Sequence, residues 1–169
     1  MRLTNFLVRD AIIPNLAATA TGVDPHDATA TGAVKQQVIS EMVSSLRSAG
    51  YFRDDDLGDI VRAVMRREQL GTTGIGHGIA IPHSRHPSVD RLIGTLAIAR
   101  DGLPFESLDG EPVYIFVLLV SPQERPGDHL RALEAVVRTM RDEEFVRNLR
   151  ACKSREEIWN LLETAAPGW

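Results

Sequence analysis

Six apolar residues, Val34, Val38, Ile39, Met42, Val43 and Leu46, recur at spacings of one, three and four among polar neighbours. That rhythm puts them on one face of a helix, and Gly50 is placed to close it. Asp54, Asp55 and Asp56 offer N-cap carboxylates to a second helix striped by Leu57, Ile60, Val61, Val64 and Met65, expected to stop near Leu70-Gly71. A third stripe runs through Leu130, Leu133, Val136, Val137 and Met140, and two more helices are expected around Glu143 to Arg150 and Arg155 to Thr164. Two runs break the rhythm, because Leu92 to Ala99 and Val113 to Val120 are almost continuously apolar and bounded by turn residues, including Asp101-Gly102 and Asp109-Gly110. Both read as buried strands. A short strand is expected at Ala11 to Leu16, and the Ala/Thr/Gly/Asp-rich stretch from Ala18 to Gly32 reads as a surface loop. Helices precede, separate and follow the strands, which predicts an α/β protein with a sheet flanked by helices. At 169 residues, one domain spanning the whole chain is expected.

Charge removes some functions from this picture. A net charge of -4 supplies no broad basic field, so nucleic acid is not expected as a partner. The apolar run from Val113 to Val120 falls well short of the about 20 residues that cross a bilayer, so no direct membrane insertion is expected. Charges at Arg2, Arg9 and Asp10 interrupt the N-terminal apolar residues, against a signal peptide, and the single cysteine, Cys152, has no internal disulfide partner. A cytoplasmic location is expected.

The chemistry concentrates in GTTGIGHGIAIPHSRH, Gly71 to His86, which holds four glycines and three of the chain's five histidines. Its Gly-x-Gly-x-Gly pattern follows a charged helix end and leads into an apolar segment, the reverse of the strand-to-helix setting a dinucleotide site needs. The spacing of His77, His83 and His86 matches no zinc signature, and no cysteine is near, so no metal is expected. His26, His77 and His86 are read as ordinary surface histidines. His83 differs: Pro82 fixes its own φ and biases Ile81 toward extended backbone, so the imidazole leaves a buried segment at a defined point. A neutral imidazole held through one ring nitrogen can attack phosphorus with the other, and backbone N–H groups of a glycine loop can close around oxyanions.

At this point the residues resemble a known family. REQLGTTGIGHGIAIPH, Arg67 to His83, together with RSAGYF and the later LLVSP and DHL segments, is similar to the enzyme IIA proteins of the phosphoenolpyruvate-dependent sugar phosphotransferase system, fructose/mannitol class, and within it to the nitrogen-regulatory subgroup. The likeness runs from about Val34 to Leu162. It implies a mixed β-sheet flanked by helices, and a phosphocarrier that takes a phosphoryl group on His83 from a histidine phosphocarrier protein. The phosphoryl group then passes to an enzyme IIB domain in sugar transport, or its presence switches a regulated target protein; a binding module that keeps the fold without the chemistry is the third alternative. The resemblance maps a second, phosphate-holding histidine onto His129, 46 residues after His83, and an arginine onto Arg67. Thr72, Thr73 and Gly74 fall in the phosphate-binding glycine loop, and no cofactor is implied. Two alternatives stay open on residue chemistry: His129 as a helix-start surface residue, and Arg67 as a side chain that covers apolar surface or pairs with Glu68 or Asp56. His77 and the long loop from Ala18 to Gly32 depart from the family pattern. No attached enzyme IIB or IIC domain is expected.

Overall fold

Val113 to Ser121 is apolar at every position except Tyr114 and Ser121, and a strand of that composition must be covered on both faces. The computed structural model describes residues 1–165 and covers it so. In chain order the elements are α1 (Ala28–Ser48), α2 (Leu57–Leu70), three short strands β1 (Gly74–Gly76), β2 (Ile79–Ala80) and β3 (His83–Arg85), two long strands β4 (Ile93–Leu103) and β5 (Val113–Ser121), then α3 (Pro126–Met140), α4 (Glu143–Ala151) and α5 (Arg155–Thr164). Side chains of β5 alternate between two cores. Phe116, Leu118 and Val120 join Val38, Met42 and Leu46 of α1 and Ile60 and Val64 of α2 on one face. Ile115, Val117 and Leu119 meet Ala132 and Val136 of α3, Leu149 of α4 and Ile158 of α5 on the other. The fold is a mixed sheet between two helical layers.

β4 pairs antiparallel along β5, so β2 and β3 share its opposite edge, both parallel to it, and β1 lies antiparallel outside β2. β2 and β3 are two pieces of one line. Pro82 between them has no N–H for the ladder, although its carbonyl still accepts from the Leu119 N–H at 3.0 Å. The interruption sets His83 directly opposite Leu119 and Arg85 opposite Ser121.

Four expectations need correction. Ala11 to Leu16 is no regular strand: Arg9–Ala11 is a 3₁₀ turn, and the segment makes an isolated bridge from Ile13 to Ala97 at the outer edge of β4. The loop from Ala18 stops short of Gly32, because the Asp27 carboxylate accepts from Thr29 and Ala30 N–H groups and starts α1 at Ala28. The three aspartates before α2 form a 3₁₀ turn, Asp54–Asp56, without a side-chain cap; Asp54 pairs with Arg47 and Asp56 with Arg53. Asp101-Gly102, expected as a turn, lies inside β4, where the register shifts between Ile98 and Leu103. Gly102 is at φ +74 with Tyr114 packed where a Cβ would stand, so the bulge requires glycine. Among the described residues no helix is long and apolar enough to cross a membrane.

Candidate functional site

Two neighbouring ends build the site: β3 carries His83 and Arg85 at alternate positions, and the first turn of α3 carries His129. The His83 and His129 rings lie 5.2 Å apart, tilted by 58°. A cavity of about 400 Å³ between them is lined by Arg67, His83, Ser84, Arg85, Pro126 and His129. A larger cavity, of about 900 Å³, lies elsewhere and touches none of these side chains. Chemistry rather than size selects the smaller one, where two imidazoles and two guanidiniums converge.

Each imidazole is held through one nitrogen. His83 Nδ1 lies 2.8 Å from the Ile81 carbonyl; a carbonyl only accepts, so Nδ1 carries the proton and the Nε2 lone pair of the neutral ring is unshared. His129 Nδ1 lies 2.5 Å from the buried Ser121 hydroxyl at the end of β5. Burial lowers the His83 pKa below its usual value, with the Arg67 charge acting in the same direction and the Ile81 hydrogen bond against it. Burial, then His83, Arg85 and Arg67, lower His129 to about 4. At neutral pH both rings are uncharged between two permanent cations.

Arg67 and His83 come from different elements, and Glu68 connects them. The Arg67 guanidinium donates through Nη1 to the Gly71 carbonyl at 2.8 Å, so it pairs with neither Glu68 nor Asp56. Glu68 is buried and accepts from the Thr73 N–H at 2.7 Å and from the Thr73 hydroxyl, while the buried Lys35 ammonium lies 3.5 Å away. Thr73 in turn receives the Ile81 N–H on its carbonyl, at 3.1 Å. The chain from α2 through the glycine loop to the residue that orients His83 is thus tied at each step.

The six residues expected at the site therefore divide. His83, His129 and Arg67 share the cavity. The Thr72 hydroxyl donates to the Phe105 carbonyl at 3.0 Å, the Thr73 hydroxyl to Glu68, and Gly74 packs against Ser107. These three hold the loop that frames the site and do not line the cavity with His83. Arg85 and Ser121 were missed by sequence reasoning. For Arg85 a signal was present, since residues two apart on an extended segment face the same way as His83.

His86 corrects its reading as a surface histidine. It is 6% exposed, with Nε2 2.5 Å from Asp59 and Nδ1 2.6 Å from the Ser88 hydroxyl. The hydrogen bond from His86 lowers the Asp59 pKa. His77 and His26 are exposed as expected, His77 at φ +56 in the β1–β2 turn. Among the described residues no group of three or more His, Cys, Asp or Glu side chains is placed to hold a metal ion.

Comparison with known proteins places the family and the fold. A nitrogen regulatory protein of Bradyrhizobium diazoefficiens is 30% identical over 162 residues, 96% of this chain and 95% of that protein. The fructose-specific EIIABC component of Bacillus subtilis is 33% identical over 128 residues, 76% of this chain but only 20% of that longer protein. The crystal structure of nitrogen regulatory protein IIA-Ntr from Neisseria meningitidis superposes with a TM-score of 0.76 at 25% identity, covering 94% of this chain and 97% of that one. Residues 28–165 match the family model of the phosphoenolpyruvate-dependent sugar phosphotransferase system EIIA 2 domain, and the chain belongs to that family.

Proposed function

We propose that this protein is a phosphohistidine carrier of the nitrogen-regulatory type, accepting a phosphoryl group on His83 from a histidine phosphocarrier protein. The observation that carries this reading is the Nδ1 hydrogen bond to the Ile81 carbonyl, which leaves Nε2 free beside Arg67, Arg85 and His129. The Nε2 lone pair attacks the phosphorus of the donor phosphohistidine; a new P–N bond forms as the old one breaks, and its electron pair returns to the donor imidazole. Arg67 and Arg85 face the charge on the phosphoryl oxygens. With the Ser121 hydroxyl donating to Nδ1, His129 keeps its proton on Nε2 and offers it to a phosphoryl oxygen. The Thr72 to Gly74 loop supplies the frame, and the scheme calls for no cofactor. Positioning and charge stabilisation do the work.

A phosphoryl group adds about two negative charges, so one event alters the surface a partner meets. The end-to-end match to a nitrogen regulatory protein supports a regulatory role, in the cytoplasm, acting on a target protein by phosphorylation state. The likeness to a fructose-specific component supports the second reading, in which the phosphoryl group passes to an enzyme IIB domain; a mannitol enzyme IIA of the same fold has been solved in complex with phosphorylated enzyme IIB.

Incubation with phosphoenolpyruvate, enzyme I and the histidine phosphocarrier protein, followed by intact-mass measurement, tests the chemistry. One acid-labile phosphoryl group is expected on the wild type and none on His83→Ala. An unmodified wild type, in a mixture that phosphorylates a known enzyme IIA and again with native donors, overturns the carrier reading in favour of a binding module.

A further inference from the structure

The larger cavity, about 900 Å³ between the β1–β2 turn, the outer part of β4 and the helices α3 and α4, shares no residue with the His83 cavity. Its floor is apolar, built by Ile79, Ile98 and Met140, with the more exposed Ile75, Val137 and Val146 beside them. Four arginines stand around that floor, Arg100, Arg141, Arg147 and Arg150, against a single carboxylate, Glu143, and the exposed His77. In a chain of net charge -4 this is a local inversion of sign.

The arginines are unpaired with acid. Ion pairs elsewhere engage Arg47, Arg53, Arg62, Arg125 and Arg131, yet none of these four guanidiniums lies within 4.0 Å of a carboxylate among the described residues. Two are instead held by neutral partners: the Arg150 guanidinium sits 3.7 Å from the Tyr114 ring centroid, and Arg100 Nη1 donates to the Arg150 carbonyl at 3.0 Å. A guanidinium fixed on an aromatic face keeps its edge donors for a carboxylate, sulfonate or phosphate. A concave site of this volume, with an apolar body and a few convergent polar groups, has the make-up of a small-molecule site.

We infer that this groove binds a small amphipathic organic anion, its hydrocarbon or aromatic body on Ile98, Val137, Met140 and Val146 and its anionic group on the arginines. Charge complementarity selects an anion, and the apolar floor selects one with a substantial body. The site is independent of His83, so a ligand there binds whether or not the carrier chemistry operates.

Anilinonaphthalene sulfonate is a suitable probe, and phenylnaphthylamine carries a similar body without the charge. Fluorescence titration is expected to show saturable binding of the sulfonate, one per chain, unchanged in His83→Ala. Loss of two charge-assisted contacts in the Arg141→Gln/Arg147→Gln double variant should weaken it about tenfold or more. Both arginines are exposed, and an amide NMR spectrum of the double variant establishes that its fold is retained. Equal affinity for the uncharged analogue, unchanged affinity in the double variant, or no saturable binding overturns the inference. An acidic amphipathic peptide that binds, in place of the sulfonate, and loses affinity in the double variant also overturns it, assigning the groove to a protein partner.

Discussion

His83 and His86 stand three residues apart at one end of the same edge of the sheet, and the difference that matters between them is whether Nε2 has a partner. His86 has both nitrogens engaged, by Asp59 and Ser88, and is buried; it fastens β3 to α2. His83 has one nitrogen engaged, by a backbone carbonyl, and the other opens on a cavity with two arginines and a second imidazole. The difference separates an anchoring imidazole from one with an open ring nitrogen more sharply than residue type or position along the chain does. A carboxylate partner anchors; a carbonyl partner fixes the tautomer and leaves the lone pair usable.

Breaking the anchor gives the largest expected effect. His86→Ala removes a charge-assisted hydrogen bond and a buried ring, and should cost about 1–3 kcal/mol in urea unfolding, while the folded variant still takes up one phosphoryl group. Loss of phosphorylation from a folded His86→Ala protein would erase the distinction between the two rings. A smaller effect sharpens the other side of it. Ser121→Ala frees His129 Nδ1, and the loss of about 1 kcal/mol of orientation should slow phosphorylation about fivefold to tenfold with the same final stoichiometry; an unchanged rate sinks the role given to His129.

A third test is in pH. His83 and His129 bind fewer protons folded than unfolded where their folded pKa values lie below the ordinary 6.5, with His129 near 4. Stability is therefore full above about pH 6.5 and falls as pH drops toward about 4. Denaturation midpoints at pH 7.5 and 4.5 check this: His129→Gln should lose less on acidification than the wild type, and an equal loss would refute the assignment.

Much of the frame was legible because α1 to α5 and the two long strands are long enough for period or continuity to show, as in the stripe from Val34 to Leu46 and the run from Val113 to Val120. β1, β2 and β3 were not, since two or three residues carry no period and the pairing of β2 and β3 is set by β5, more than thirty residues away. The same reason hid Ser121 beside His129 and Lys35 beside Glu68: tertiary contacts decide those pairs. His86 was misread because nothing in SRHPS announces that Asp59, 27 residues earlier, comes to meet it. His83, His129 and Arg67 were legible through the motif, whereas the hydroxyls of Thr72 and Thr73 turned to the frame because buried carbonyl and carboxylate oxygens need donors.

The parallel pairing of β3 with β5 also bears on how the site comes into being. The β4–β5 hairpin closes a short loop and can form early, but His83 reaches Leu119, and Arg85 reaches Ser121, only when a segment more than thirty residues upstream docks on the far edge. A newly made chain that has formed its hairpin and not that last pairing holds every residue of the proposed site without the site itself, so under the carrier reading proposed above, phosphate uptake by a refolding sample would time the completion of the sheet.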